Sequence, residues 1–282
     1  MLNKTGLKKH IDCRFANLGA PDRIFAIPSI HGYLQKLHGL HESIYAQFQP
    51  GDRIVYLGNY TGYGPHSRET IDAILNFRRY LLAIPGVKPS DIVFLRGTQE
   101  EMWQKLMQLQ FAPNPSLIMD WMLDRGLAQT LESYGMCLYE AQRIAHEGVI
   151  RISRWTQKLR STIHENAGHD IFGAQLKRAA YTDCAYTQTN TCSPLLFVNA
   201  GVDFTKPLEE QGDCLWWGSA QFSSVKLSYS PYRRVFRGYD PKSGGLHETL
   251  LTATLDNDRN LAGDLIYAQI GGNGDILDIC HS

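Results

Sequence analysis

The chain has 282 residues, of which 28 are basic and 28 acidic, so its formal net charge is zero. This balance argues against a protein that tracks nucleic acid or a polybasic binder of membrane surfaces, because both need a large positive excess. Apolar residues make up 43% and charged residues 20%, which excludes wholesale disorder. No run approaches the ~18 consecutive apolar residues of a transmembrane helix. We therefore expect neither a nucleic acid nor a membrane as partner.

The six cysteines are scattered along the chain without a C-x-x-C pair. This spacing is typical of reduced thiols and not of a disulfide framework or a zinc site. The segment from Met1 to Cys13 carries three lysines but no apolar core behind them, so it does not read as a secretory signal. Together these features predict a cytoplasmic protein.

The first hundred residues alternate between strand-like and helix-like patterns. Short β-rich runs at 23–27, 53–57 and 92–95 predict three strands. Between them, apolar residues recur every three or four positions from 34 to 48 and from 71 to 82, which predicts two amphipathic helices. Ser67 is placed to cap the second helix. This βαβαβ order predicts parallel strands with helices on the faces of the sheet.

The pattern then becomes mainly helical, from Glu100 to about Tyr181. Strand-like runs return at the end of the chain, where Asn273-Gly274 suits a tight hairpin. Four such runs are at 195–198, 234–237, 250–255 and 265–270, and a fifth is at 275–279. We therefore predict a single domain over 1–282. It is an α/β sandwich of mixed sheets flanked by helices, with a helical insertion at about 101–194.

Loops of similar style follow five of these strands, and the carboxyl ends of strands are where open α/β sheets build their sites. In order and spacing these loops resemble the signatures of the phosphoprotein phosphatase family, within the calcineurin-like metallophosphoesterases. That family reads D-x-H-G, G-D-x-x-D-R-G, G-N-H-E, H-A-G and G-H-x-P. The corresponding segments are Ser29-Ile30-His31-Gly32, Gly58-Asn59-Tyr60-Thr61-Gly62-Tyr63-Gly64-Pro65, Arg96-Gly97-Thr98-Gln99-Glu100, Asn199-Ala200-Gly201 and Gly238-Tyr239-Asp240-Pro241. The resemblance runs from about Arg23 to Pro241 and implies the calcineurin-like fold.

The loop glycines and prolines match this family, whereas most of its chemical side chains are replaced. The resemblance implies six metal ligands, of which only His31 is retained. Neutral residues occupy the other ligand positions, namely Ser29, Asn59, Thr98, Asn199 and Tyr239. The family's second loop Asp falls on Gly62, its phosphate-gripping Arg on Tyr63, and its general-acid His on Gln99.

These replacements bear directly on the reaction that the resemblance implies. Two-metal hydrolysis needs a shared anionic ligand to hold two cations ~4 Å apart and to activate a bridging water. The carboxamide of Asn59 is neutral and cannot offset the repulsion between them. Loss of the Arg and the general acid removes two further effects, each worth ~10²-fold or more. We therefore expect no metal or other cofactor. The prediction is a catalytically impaired pseudophosphatase that acts as a binding or regulatory module on an unknown protein or small molecule.

Other roles remain open for the crevice that these loops would form. The protein could be an active phosphoesterase rebuilt around His31, Arg96 and Glu100, or a scaffolding subunit whose crevice is irrelevant. Glu100 matches a position that braces the loop, and Arg96 suits either a salt bridge or an anion. Ser29 beside His31 could form a nucleophile and base, although the strained elbow glycines of hydrolases are missing.

Histidines and tyrosines offer two more hypotheses. His38 and His41 lie at i, i+3 spacing and could share one helix face as a replacement metal site, or lie beside its buried stripe. Tyr60, Tyr63 and Tyr239 could make the crevice a neutral aromatic pocket for a small organic ligand or a peptide. They could equally fill space that metal ions occupy in the family.

Overall fold

A computed structural model of the chain describes residues 12–183, 193–220, 222–242, 245–257 and 264–282. Its strands are β1 (Phe15–Asn17), β2 (Arg23–Ile27), β3 (Arg53–Tyr56), β4 (Ile92–Phe94), β5 (Ala179–Tyr181), β6 (Leu195–Val198), β7 (Arg234–Arg237), β8 (Leu246–Glu248), β9 (Thr252–Leu255), β10 (Ile266–Gly271) and β11 (Ile276–His281). Its α-helices are α1 (Leu34–Tyr45), α2 (Ser67–Leu82), α3 (Thr98–Leu106), α4 (Pro115–Met122), α5 (Ala128–Ser133), α6 (Leu138–Ile144), α7 (Val149–Glu165), α8 (His169–Gln175) and α9 (Cys214–Trp217).

The strands form two mixed sheets. The five-stranded sheet has the order β11-β10-β2-β3-β4, and the six-stranded sheet has the order β1-β5-β6-β7-β9-β8. In the first, β2, β3 and β4 run parallel; in the second, β6, β7 and β9 do. These parallel strands therefore present their carboxyl ends, and the loops that follow, at the same edge of each sheet.

Strand β2 shows how the sequence generates the layers. Ile24 and Ala26 are buried against the six-stranded sheet, whereas Phe25 and Ile27 point the other way and pack on α1 and α2. Because successive side chains of a strand face opposite sides, a fully apolar run such as this one has to be covered on both faces. The predicted sandwich with helices outside it is the result.

The helical segment between β4 and β5 has a core of its own, built around residues such as Met102, Leu131, Trp155 and Leu159. Its helices run from Thr98 to Gln175, and β5 follows within the range 101–194 that was predicted as helical. Residues 184–192 of that range lie outside the described residues.

Two local predictions need correction. Ser67 does not cap α2; it is the first residue of the helix, and its hydroxyl accepts a hydrogen bond from the Gly62 amide at 3.1 Å. The strand predicted at 250–255 begins only at Thr252. By contrast, β10 and β11 form the predicted antiparallel hairpin, and Gly274 supplies the positive φ that its turn requires. In the described part of the chain, no helix combines the length and apolarity needed to span a membrane.

Candidate functional site

The five predicted loops meet where the two sheets present the ends of β2, β3, β4, β6 and β7, and we call this place the crevice. The hydroxyl of Ser29, after β2, donates to the carbonyl of Gly238, after β7, at 3.0 Å. The side-chain amide of Asn199, after β6, donates to the carbonyl of Leu57, after β3, at 2.6 Å. Both hydrogen bonds join one sheet to the other. The loops that follow one another along the sequence therefore lie together in the structure.

Asn59 lies at the centre of the crevice and is fully buried. Its side-chain amide donates to the Ser29 hydroxyl at 3.1 Å, and its side-chain carbonyl accepts the backbone amide of Gln99 at 3.0 Å. Its backbone has a positive φ of 59°, a region that asparagine tolerates better than most residues. Both functions of the carboxamide are therefore used within the protein.

Thr98 and Asn199 form the second half of this network. The side-chain oxygen of Asn199 accepts the backbone amide of Thr98 at 3.3 Å, while the Thr98 hydroxyl donates to the carbonyl of Trp216. Both residues are buried. Four of the neutral residues at family ligand positions (Ser29, Asn59, Thr98 and Asn199) are thus bonded to one another or to nearby backbone.

Glu100 supports this arrangement from below. One carboxylate oxygen accepts the backbone amides of Asn59 at 2.8 Å and Gly97 at 2.9 Å, and the other accepts that of Tyr60 at 2.9 Å. Burial raises the pKa of this carboxyl, and the amide bonds oppose that rise because they favour the charged form. Glu100 therefore ties the β3 loop to the β4 loop.

Aromatic rings surround His31. Its imidazole meets Tyr63 edge-on with ring centres 5.1 Å apart, and Tyr239 with centres 6.0 Å apart. Tyr63 also packs against Gly126, where an added Cβ would lie 3.1 Å from the tyrosine ring. Tyr60 does not line the crevice, because it is fully buried in the core and donates its hydroxyl to the Leu95 carbonyl at 2.8 Å.

Gly62 and Gln99 are two further predicted crevice residues. A Cβ on Gly62 would lie 2.9 Å from His31 Nδ1 and 3.0 Å from Gln99 Cδ, so the three residues are in close contact. The amide group of Gln99 donates to the carbonyl of Arg125 at 2.7 Å. The helical segment that carries Arg125 and Gly126 therefore covers one side of the crevice.

Arg96 and Glu100 line a separate cavity on the side of the helical segment, and His31 is not among the residues that line it. The guanidinium of Arg96 pairs with Glu101 at 3.2 Å, which corresponds to the salt-bridge alternative. His31 therefore does not line the cavity that Arg96 and Glu100 share.

No protein-family model and no curated protein matches the chain. Solved structures do match its fold. A provisionally assigned diadenosine tetraphosphatase matches with a TM-score of 0.55 at 15% identity, over 95% of this chain and 96% of its own. A mutant cold-active protein tyrosine phosphatase matches with a TM-score of 0.52 at 9% identity, over 95% and 81% of the two chains. For the cold-active enzyme of a psychrophilic Shewanella species, the TM-score is 0.50 at 10% identity, over 92% and 78%.

The fold is that of the metallophosphoesterases. The fold class predicted from the five loops is therefore confirmed, and the resemblance holds at the level of the fold. Identities of 15% and below carry no information about the reaction of this chain. Function has to be argued from the crevice itself.

A metallophosphoesterase fold implies a pair of divalent cations at the crevice, so the donors found there can be tested against that requirement. In the parts of the chain that the structure describes, no three His, Cys, Asp or Glu side chains gather closely enough to hold a metal ion. The side chains of Ser29, Asn59, Thr98 and Asn199 at the ligand positions are neutral and already hydrogen-bonded to the protein. This donor set does not fit two divalent cations, which favour carboxylate and imidazole ligands.

The second metal hypothesis, on α1, is also not supported by the geometry. His41 is buried, stacks on Phe77 with ring centres 3.9 Å apart, and shares a hydrogen bond of 2.8 Å with the Tyr56 hydroxyl. Burial, helped by nearby His38, lowers its pKa to about 3. His38 is exposed, whereas the His41 imidazole is already hydrogen-bonded and stacked within the core.

The sequence did not indicate a group of charged residues that lies beside the crevice. The buried guanidinium of Arg237 donates to Asp240 at 2.7 Å and to the Thr254 hydroxyl at 2.8 Å. Burial lowers its pKa, and Asp240 opposes that change. Asp256 accepts the backbone amide of Asp240 at 2.8 Å. Nothing in the spacing indicated the contacts of Arg237 with Thr254 and of Asp240 with Asp256, which depend on β7 and β9 lying side by side in the sheet.

Proposed function

We propose that this metallophosphoesterase-fold protein is a pseudophosphatase that acts as a binding or regulatory module. The observation that carries the proposal is the closed, neutral network at the crevice. Ser29, Asn59, Thr98 and Asn199 occupy the ligand positions, and their side chains bond to one another and to backbone groups that tie the two sheets together.

The physical reason is electrostatic. Bringing two divalent cations to this crevice would require breaking hydrogen bonds of buried Asn59 and Asn199, and no anionic side chain of the network would compensate the added charge. Tyr63 stands at the position of the family's phosphate-gripping Arg and presents a neutral ring to His31. Neither cation binding nor charge stabilisation of a phosphoryl group is supported by these groups.

The alternative of a hydrolase rebuilt around His31, Arg96 and Glu100 receives less support. Arg96 is paired with Glu101, and the carboxylate of Glu100 accepts three backbone amides. A general acid or base must reach the proton that it transfers, and a carboxylate held this way on two loops is positioned to brace them.

The test combines metal content with turnover on the full-length protein. After equilibration with Mn²⁺, Mg²⁺ or Zn²⁺ and gel filtration, we expect no stoichiometric metal by elemental analysis. We also expect no hydrolysis of p-nitrophenyl phosphate or diadenosine tetraphosphate above the rate without protein. Two tightly held divalent ions per chain would overturn the proposal, as would turnover abolished in His31→Ala.

A matched variant checks that the metal assay can detect binding when ligands are present at the crevice. The combined replacements Ser29→Asp, Asn59→Asp, Asn199→His and Tyr239→His restore four family ligands in the same backbone. We expect this variant to retain more Mn²⁺ than the natural chain. If both proteins retain equal stoichiometric metal, the donor argument is wrong.

The absence of nucleic-acid and membrane partners and the cytoplasmic location remain parts of this proposal. The formal net charge of zero supports the first. The described cysteines, Cys13, Cys137, Cys214 and Cys280, are all free thiols, which supports a reducing compartment.

A further inference from the structure

A cavity of about 640 Å³ lies between the helical segment and a wall formed by α2 and the loops after β3 and β4, and we call it the insertion cavity. Its floor is buried and includes Ile71, Tyr134, Ile163, His169 and Phe172. Its volume falls within the ~300–1,000 Å³ of typical small-molecule sites, which are apolar with a few placed polar groups. The crevice network does not use these floor residues.

A hydrogen-bonded relay reaches the floor from the surface. The half-exposed carboxylate of Asp72 contacts His169 Nε2 at 3.1 Å, and His169 Nδ1 contacts the Tyr134 hydroxyl at 2.7 Å. When Asp72 accepts a proton from Nε2 of the neutral imidazole, Nδ1 is the acceptor for the Tyr134 proton. The phenolic oxygen of Tyr134 is thereby oriented with its lone pairs available to accept a hydrogen bond.

The aromatic side chains that line the insertion cavity favour a ligand with a flat ring. The indole of Trp103 lies beside Tyr134 with ring centres 5.4 Å apart and planes tilted by 33°, and the ring of Phe172 also lines the cavity. Aromatic faces of this kind bind planar apolar molecules through large contact area and offset stacking. The floor therefore combines ring surfaces with one oriented acceptor.

Charged groups at the cavity are already engaged. Glu100 accepts three backbone amides, Arg96 pairs with Glu101, and His164 pairs with Asp170 at 3.0 Å. Arg160 donates to the Met107 carbonyl and is exposed to solvent at the mouth. An ionised group on the floor would lose its hydration without gaining a counter-ion, which is unfavourable.

We propose that the insertion cavity binds an uncharged, planar aromatic molecule that carries a hydroxyl or amine hydrogen, donated to the hydroxyl oxygen of Tyr134. This assigns a ligand class to the binding role proposed above and rests on it. It also places the functional site beside the crevice, since Glu100 connects the cavity wall to the crevice loops.

The probe is 2-naphthol, compared with 2-methoxynaphthalene, which has the same rings but no hydrogen to donate. Isothermal titration of the full-length protein should show saturable binding of 2-naphthol at one site. Tyr134→Phe should weaken 2-naphthol binding about fivefold, the size of one hydrogen bond, and leave 2-methoxynaphthalene binding unchanged. Equal loss for both compounds would show that Tyr134 only shapes the cavity and would overturn the hydrogen-bond assignment.

A second pair of variants tests the location. Gly173 lies at the mouth, and an added Cβ there meets nothing within 4 Å, so Gly173→Trp should fold and obstruct the cavity. Gly212 is equally open and lies outside the cavity, which makes Gly212→Trp the control. We expect loss of 2-naphthol binding only in Gly173→Trp. Equal binding by the two variants, or no saturable binding by the natural chain, would refute the proposal.

These outcomes are independent of the crevice experiments. Missing naphthol binding with no metal and no turnover would reject the insertion cavity and leave the pseudophosphatase proposal standing. A metal-loaded, active protein would reject the pseudophosphatase proposal whatever the cavity binds.

Discussion

Replacing Glu100 by Gln removes one charge at the junction of the β3 and β4 loops while nearly preserving its shape. In the natural protein one carboxylate oxygen accepts the amides of Asn59 and Gly97, and the other accepts that of Tyr60. A glutamine has one acceptor oxygen, which can retain the first two bonds. Its NH₂ group must then face the Tyr60 amide, so a donor meets a donor.

The expected destabilisation can be worked from these contacts. A buried amide left without an acceptor costs about 1–3 kcal/mol, and two bonds that change from charged to neutral acceptors each lose roughly 1 kcal/mol. Removing the buried charge offsets part of this loss of stability, because burial disfavours the charged carboxylate and raises its pKa. We expect Glu100→Gln to lower the free energy of unfolding by about 2 kcal/mol.

Urea unfolding monitored by tryptophan fluorescence measures this change, with Glu132→Gln as control. Glu132 is exposed on α5, so its replacement removes the same charge and should change stability by less than about 0.5 kcal/mol. Amide hydrogen exchange at Tyr60 should also accelerate in Glu100→Gln. Equal stability of the two variants would refute the bracing role.

Three further predictions concern stability. Because burial lowers the pKa of His41 to about 3, its neutral form is favoured in the folded state, and stability should fall by about 2–3 kcal/mol as pH drops from 6.5 to 4.5. Gly97→Ala should cost about 3 kcal/mol in urea unfolding, because its Cβ would lie 2.4 Å from the Asn59 side-chain oxygen. Asp240→Ala should cost about 3 kcal/mol in the same assay, since it leaves the buried Arg237 cation without its partner.

Each of these predictions has a control that can contradict it. In His41→Gln the acid-dependent loss should be smaller, and parallel pH profiles for the two proteins would exclude His41 as the cause. Gly212→Ala should change stability by less than about 0.5 kcal/mol, because its Cβ enters open space. Adding Arg237→Met to Asp240→Ala should recover part of the loss; no recovery would mean that the unpaired charge is not the origin of the effect.

Strand and helix positions near the crevice could be predicted because their signals are local. The apolar runs of β2 and β3 are buried on both faces, and the stripe Leu37, Leu40 and Ile44 is buried as its spacing indicated. Single-residue signals were less reliable. Ser67 is a residue type that caps helices, but its hydroxyl accepts a hydrogen bond from the Gly62 amide and does not cap α2. A side-chain type indicates what a residue can do, whereas its partner is set by tertiary contacts.

The crevice and the insertion cavity also differ in how far they could be predicted from the sequence. The crevice residues could be found because they follow strands in fixed order. The relay joins Asp72 on α2, Tyr134 just after α5 and His169 at the start of α8. His169 is 35 positions from Tyr134 and 97 from Asp72, and no spacing rule connects them. Tyr60 was misplaced because it lies between two crevice residues in sequence while its ring turns into the core.

If the proposed function is correct, the hydrogen bonds of the crevice hold its loops together without a metal pair. Metal ions with ligands from both sheets would join the sheets, and here the bonds of Ser29 to Gly238 and of Asn199 to Leu57 make the same connection. The positive φ of Asn59 is an unusual conformation, and Glu100 helps to hold it. This cross-link gives the loops a structural role that does not depend on catalysis. Intact loops are therefore no sign of activity in this chain, and metal binding and turnover have to be measured directly.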